Sequence, residues 1–492
     1  MNAALLIIVL FVLGALGLAL LARRGRRMSL EQWAVGGRGL GALMVFLLMA
    51  GESFSTFTFL GASGWSYSKG APAFYILAYG GLAYLMAFWM LPAIWRYATR
   101  HKLVSFSDFF ASKYDSRALG VLVSIVALMG MVALLTIQLR GLGIIVAETS
   151  YGSIAPQVSI WLGAAVMVIY ILVSGIHGSA SIAVVKDLLI LALAIFLGVY
   201  LPWHYYGGVQ PMFAAIHSAN PTFFQFPADG LNLTWYNSTI LLTALGYYLY
   251  PFNLTSVYAA KSASAVRRNT MLMPLYQIVI AFLFLVGFAA ILKVPGLKGA
   301  EVDLALFGLA KATFDPWFIG VIGGTGVLTA LVPGSMILLA ASTVIGRNIY
   351  KEGFARHATE RQVATVARCA LPLFALVAVY FVLRGGATIV SIAIFASSLL
   401  TQLLPSLLFS LRSRPFGNKL AAFAGIAAGG AVLACTTIGG VTLAQLFPHA
   451  PAVLKSLNTG LVALAVNALA FVIVALCSPR ISATMPASVA PT

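Results

Sequence analysis

Glu52 lies near the middle of a stretch, GALMVFLLMAGESFSTFTFLGASGWSYSKG (residues 41–70), whose only other charge is Lys69 near its end. A carboxylate at the centre of a bilayer costs from roughly 3 to more than about 10 kcal/mol, depending on how far water and lipid adjust. Gly51, Ser53, Ser55, Thr56, Thr58, Gly61, Ser63 and Gly64 surround it. Glycines loosen a helix, and hydroxyls satisfy the main-chain groups that a break sets free. An interrupted, polar helix at membrane depth is the pattern that cradles a small solute. The structural alternative is a carboxylate that caps a broken helix end.

A second interruption is expected in STILLTALGYYLYPFNLTSVYAA, where Pro251 removes a donor and clashes with the preceding turn. Tyr247, Tyr248, Tyr250 and Phe252 cluster beside it, as a cavity lining or as ordinary packing. Few other ionisable groups lie deep: the adjacent pair Lys186–Asp187, and Arg140 two residues after Gln138. Lys186 and Arg140 can each be read as snorkelling side chains. Half-helix N-termini at such breaks favour an anionic group. Ser53, Ser55, Thr56 and Thr58 add neutral partners, and Gln138 and Arg140 face the cavity or its outer vestibule.

These residues need a membrane scaffold. Of 492 residues, 61% are apolar and 9% charged, and the mean hydropathy is +0.98. That excludes a soluble globular chain and requires many spans. Thirteen helical spans are expected, near 3–22, 41–67, 73–98, 117–148, 154–176, 181–202, 234–258, 269–292, 317–345, 364–383, 387–411, 419–446 and 454–478. With the N-terminus outside and the C-terminus cytoplasmic, 23 of the 30 Lys and Arg fall on the cytoplasmic side, among them Arg23, Arg26, Arg27, Arg267, Arg268, Arg347 and Arg414. The net charge of +18 is thus spread over short loops and does not imply nucleic acid. Cys369, Cys435 and Cys477 show no disulfide or metal spacing. No metal cluster, Ser–His dyad or paired catalytic carboxylates converge, so no enzyme and no cofactor is expected. The polar tail after residue 478 reads as disordered.

With span one set aside, spans two and seven each open a group of five, and each is interrupted. Five is odd, so the second group enters from the opposite side, as in an inverted-topology repeat. The expected division is an extra helix and loop (1–40), a first repeat (41–202), an external loop (203–233), a second repeat (234–411), and two further helices with a tail (412–492).

GGRGLG at 36–41, ESFSTFTFLGASGWSYSKG at 52–70, SGIHGSASIAVVKDLL at 174–189, YAAKSASAVRRN at 258–269 and ALVPGSMILLAASTVIGRNIYK at 330–351 together resemble the sodium:solute symporter family. Their order and spacing are most like its monocarboxylate-permease branch. The resemblance implies an all-α polytopic protein with a five-plus-five inverted repeat of the leucine-transporter type, working by alternating access. In sodium-coupled relatives the ion lies between the first and eighth core helices, which here points to the backbone oxygens of Gly51 and Phe54. Two hydroxyl residues would complete such a site, but Val332 and Pro333 stand in their places, with Ser335 or Thr329 as substitutes in another register. A hydroxyl commonly precedes the family's aspartate, and here that residue is Lys186, before Asp187. The sodium site is therefore expected to be degenerate. The coupling ion is expected to be H+ or Na+, with the Lys186 ammonium standing in the ion's place.

The expected function is a symporter that imports a small organic anion, such as lactate, pyruvate or propionate. Its site would draw on Glu52, Ser53, Ser55, Thr56, Thr58, Gln138, Arg140, Tyr247, Tyr248, Tyr250 and Phe252. The alternatives are a sodium-coupled symporter of a small amino acid, whose amine meets Glu52, or a solute sensor without transport. The expected setting is a bacterial-type inner membrane, with lipid as partner, and a monomer would suffice.

Overall fold

The computed structural model describes residues 3–25, 29–412, 416–446 and 448–478. The expected disordered tail and the basic residues Arg26, Arg27 and Arg414 lie outside them. All regular structure among the described residues is helical, with one isolated bridge between Leu40 and Ala260. In lipid, each crossing segment must pair its own main-chain groups, and the helix does that.

Fifteen helices carry the argument: α1 (Ala3–Arg23), α2 (Ala42–Ser53), α3 (Ala62–Lys69), α4 (Tyr75–Arg100), α5 (Arg117–Thr149), α6 (Pro156–Tyr206), α7 (Leu233–Gly246), α8 (Pro251–Ala259), α9 (Ala263–Gln277), α10 (Ile280–Ala290), α11 (Pro316–Val344), α12 (Glu360–Arg384), α13 (Ile389–Leu400), α14 (Lys419–Thr437) and α15 (Thr459–Cys477). Ten described helical runs are long and apolar enough to cross a membrane, and the bent pair 42–69 makes eleven. The thirteen-span expectation departs from this count at two places. First, α6 covers 51 residues and counts once, although its backbone breaks at Gly175 into two halves that correspond to the expected spans 154–176 and 181–202. Gly175 has φ 56° and ψ −153°, and a Cβ there would lie 2.6 Å from the Trp33 carbonyl oxygen, so only glycine fits. Second, α7 and α8 are each too short to span alone.

The core is built around α11, whose run is 94% buried in its apolar window, against 22% for α1. It packs on α1, α5 and α6, while α14 and α15 pack mainly on each other at the periphery. Asp108 ties one end together: its carboxylate accepts the Val104 and Ser105 N–H groups and the Asn348 amide, and lies 3.6 Å from the Arg347 guanidinium.

Nearer the other end, a turn at Gly299–Leu304 lies over α3. Its Asp303 is fully buried; Oδ2 accepts from Arg140 Nε at 3.3 Å and from the Ile389 N–H at 3.1 Å. Arg140 also donates to the Ala300 carbonyl at 3.1 Å. One buried carboxylate thus joins α5, the turn and the start of α13. Burial pushes the Asp303 carboxyl up to about 6, against the opposing pull of Arg140 and the Ile389 N–H. The ion pair is complete above that pH, and Arg140 loses its partner as pH falls through it. The folded value lies above the ~3.9 of a free aspartate. This group's contribution to stability therefore falls as pH rises between about 4 and 6.

Two outcomes are expected. Amide exchange at Ile389, corrected for intrinsic rate, is slower at pH 5 than at pH 8, because the closed state holds the Asp303 proton more tightly than the open one, and Asp303→Asn removes the difference. A Cβ at Gly64 would come within 2.7 Å of the Val302 carbonyl oxygen. Gly64→Ala therefore displaces the turn at a cost of about 1–3 kcal/mol, read as a lower apparent Tm and faster exchange at Ile389.

Candidate functional site

The segment after α2 leaves the helix at Phe54, whose φ −92° and ψ 91° are extended. Its freed donors are taken up locally. The Ser55 N–H donates to Thr58 Oγ1 at 3.0 Å and the Phe57 N–H to Ser55 Oγ at 3.2 Å. Thr56 donates through its N–H and its hydroxyl to Gln138 Oε1 on α5. A short π-turn, Phe57–Gly61, then leads into α3.

The freed acceptors are met by a cation of the protein itself. Lys186 Nζ, fully buried on the second half of α6, donates to the carbonyl oxygens of Gly51 at 2.7 Å and Phe54 at 2.6 Å. Asp187 Oδ1 lies 3.0 Å from the same nitrogen. Lys186 is thus turned into the break and does not snorkel to a surface. Val332 packs against this point: a Cβ on Gly51 would meet its methyl at 3.4 Å. The hydroxyls of Thr329 and Ser335 are spent elsewhere on α11 and α6, on Gly326 O for Thr329 and on Val332 O and Ser179 Oγ for Ser335.

The second break lies between α7 and α8. A 3-10 turn at Tyr247–Leu249 leads to Tyr250 in extended geometry (φ −70°, ψ 119°), and Pro251 opens α8. Proline fits there because the first turn of a helix leaves its N–H groups unpaired anyway. Asn253 Nδ2 caps the freed Tyr247 carbonyl at 2.8 Å. The two breaks are stitched together: Tyr247 OH meets Ser53 Oγ at 2.6 Å, and Ser256 Oγ donates to Glu52 Oε1. Tyr250 OH pairs with Ser397 Oγ on α13 at 2.6 Å.

Between them lies a cavity of about 60 Å³, smaller than the ~150 Å³ apolar void that admits benzene. Of the sequence-predicted solute contacts, Glu52, Ser53, Ser55, Gln138, Tyr247, Tyr250 and Phe252 line it, as does Pro333. Four do not. Thr56 and Thr58 are turned into the break they brace. The Tyr248 ring packs on Tyr84 and Tyr247. Arg140 is held by Asp303 and Ala300.

The cavity wall holds no cation, and Glu52 is its one charged group. Glu52 Oε2 is buried without a hydrogen-bond partner. Sequence reasoning missed Tyr75, Tyr79, Thr243, Asn253 and Ser397, which also line the space. Tyr75 and Tyr79 are four apart on α4, a one-face spacing that is common in a chain with 12% aromatic residues. Among the described residues no group of three or more His, Cys, Asp or Glu could hold a metal.

The sodium:solute symporter family model matches residues 33–429. A relative in Bacillus subtilis (strain 168), "uncharacterized symporter YhjB", is 53% identical over 467 residues, 95% of each chain. A monocarboxylate transport permease protein of Rhizobium johnstonii is 27% identical over 396 residues, 79% of this chain and 78% of the relative. Among solved structures, a sodium-coupled sialic acid symporter in a substrate-bound outward-open state superposes with a TM-score of 0.79 at 16% identity, covering 97% of this chain and 98% of that one. Mhp1, a nucleobase-cation-symport-1 family transporter in a closed conformation, gives 0.58 at 13% identity, covering 92% and 96%. At such identities the likeness is one of fold. The chain is a multi-pass membrane transporter, and it belongs to the sodium:solute symporter family.

Proposed function

We propose that this transporter moves a small monocarboxylate, such as lactate, pyruvate or propionate, inward with a proton, and that Lys186 stands where relatives bind a coupled sodium ion. The observation that carries this reading is the Lys186 ammonium on the Gly51 and Phe54 carbonyls. An ammonium and a sodium ion offer the same single positive charge to the same oxygens, and a lysine, unlike sodium, can release a proton. Loss of that proton weakens the tie between α6 and the break after α2. The proton thereby biases which side of the cavity is open, and a ligand or ion shifts a two-state equilibrium only through such a difference. The thirteen-span, five-plus-five arrangement with an external N-terminus belongs to the same reading.

The solute would be held by neutral donors. Tyrosine and serine hydroxyls converge on a space too small for a sugar. With Glu52 as the wall's one charge, a carboxylate fits best when a proton is shared between it and the free Oε2. That oxygen also favours a second reading, a small amino acid whose ammonium group meets Glu52.

Two measurements on proteoliposomes separate these readings. Under the main one, lactate, pyruvate or propionate uptake follows an inward pH gradient and ignores a sodium gradient. Lys186→Gln keeps N–H donors for both carbonyls but cannot titrate, and lowers gradient-driven uptake at least roughly tenfold, a 1.4 kcal/mol effect, with much smaller loss of solute exchange. Uptake that needs sodium and ignores pH would sink the proposal. Glu52→Gln leaves monocarboxylate exchange within about threefold of the wild type. Alanine exchange that falls more than about a hundredfold in the same variant, because the charge-assisted pair with the amine is gone, supports the amino-acid reading.

A further inference from the structure

A second cleft, of about 370 Å³, opens away from the central cavity between the C-terminal end of α4 and the first turns of α9. Arg96, Arg267 and Arg268 line it, together with Ala263, Ser264 and Met271. No carboxylate is in its wall, and among the described residues none of the three guanidiniums forms an ion pair. The Arg267 guanidinium rests instead on an apolar partner, 5.3 Å from the centre of the Phe88 ring. A preference for basic residues in short loops accounts for positive charge on this end of the protein. It does not account for three arginines converging on one cleft with no counter-charge.

The surface running away from the cleft supplies the second half of the argument. On α4, Trp89 and Leu85 precede Arg96 by seven and eleven residues and share its helical face. On α9, Met271 and Leu275 continue the face of Arg267 and Arg268. All four apolar side chains are exposed, from 61% for Met271 to 71% for Trp89. In a chain that spans a bilayer, such a surface faces acyl chains. A cationic cleft at the top of an apolar, outward-facing strip matches one class of molecule, with a phosphate at one end and hydrocarbon at the other.

We infer that the α4–α9 cleft is a binding site for an anionic phospholipid, its phosphate held by Arg96, Arg267 and Arg268 and its acyl chains lying along Trp89, Leu85, Met271 and Leu275. Basic clefts between membrane helices recognise lipid headgroups by this charge pairing. α9 follows directly on α8, the second half of the broken helix that lines the cavity. A lipid seated here therefore bears on a segment adjoining the transport site.

The test uses the full-length protein in detergent, titrated with phosphatidylglycerol, phosphatidylcholine, sn-glycerol 3-phosphate or inorganic phosphate, and read by native mass spectrometry and thermal shift. Phosphatidylglycerol is expected to bind and stabilise, while phosphatidylcholine and the two free phosphates do neither at equal concentration. The triple variant R96Q/R267Q/R268Q is expected to lose about a hundredfold in phosphatidylglycerol affinity, and R96Q alone about fivefold, from the share of each basic residue near a charged surface. The control triple R356Q/R361Q/K419Q should bind as the wild type does. Should the first triple fail to fold, the single variant decides. Equal losses in both triples, or in R96Q and its control counterpart R361Q, overturn the site in favour of diffuse surface attraction. Equal binding of sn-glycerol 3-phosphate or inorganic phosphate overturns the lipid as its occupant.

Discussion

A main-chain carbonyl that leaves a helix inside a membrane has no water to turn to, and an unpaired one costs several kcal/mol. The geometry around the cavity follows from that constraint. Gly51 and Phe54 O are met by Lys186, Tyr247 O by the Asn253 amide, and the donors beyond Phe54 by Thr58, Ser55 and Gln138. The partners come from α5, α6 and α8, so satisfying the breaks also fixes where these helices stand. Ser55, Gln138 and Asn253 serve in both the cavity wall and these repairs, while Lys186 and Thr58 serve in the repairs alone.

Two of the buried carboxylate oxygens without a hydrogen-bond partner differ in meaning. Asp303 Oδ1 is buried without a partner in a turn that already binds Arg140 and the start of α13. Glu52 Oε2 is without one on a residue that lines the cavity. Placement separates a carboxylate bound into a turn from one on the cavity wall.

The breaks were legible in the sequence because their causes are local. A run of glycines and hydroxyls about Glu52, and Pro251 after a row of tyrosines, weaken a helix whatever packs around it, and the chain leaves the helix at Phe54 and Tyr250. Depth marked Lys186 but left snorkelling open, and its partners Gly51 and Phe54 were legible only through the family resemblance. Direction around a helix was less legible. Arg140 lies two residues after Gln138, yet Gln138 turns to the cavity side and Arg140 to Asp303, a partner 163 positions away whose burial no local pattern signals. Tyr75, Tyr79 and Ser397 sit on regular helices whose inward faces are set by packing against α7 and α13. The division of α6 was legible too: the expected boundary between residues 176 and 181 lies beside Gly175, where the backbone leaves the helix at φ 56° and ψ −153°.

The cation at the first break is attached to the backbone of α6 by a four-carbon arm. A free ion arriving at such a place loses its translational freedom on every visit, and its occupancy varies with what is dissolved outside. A tethered one gave up that freedom once, when the chain folded, and its local concentration is set by the arm's reach and not by the medium. The position between α2 and α11 is filled here by a group of the chain itself, and what can change from one moment to the next is its protonation or the arm's conformation.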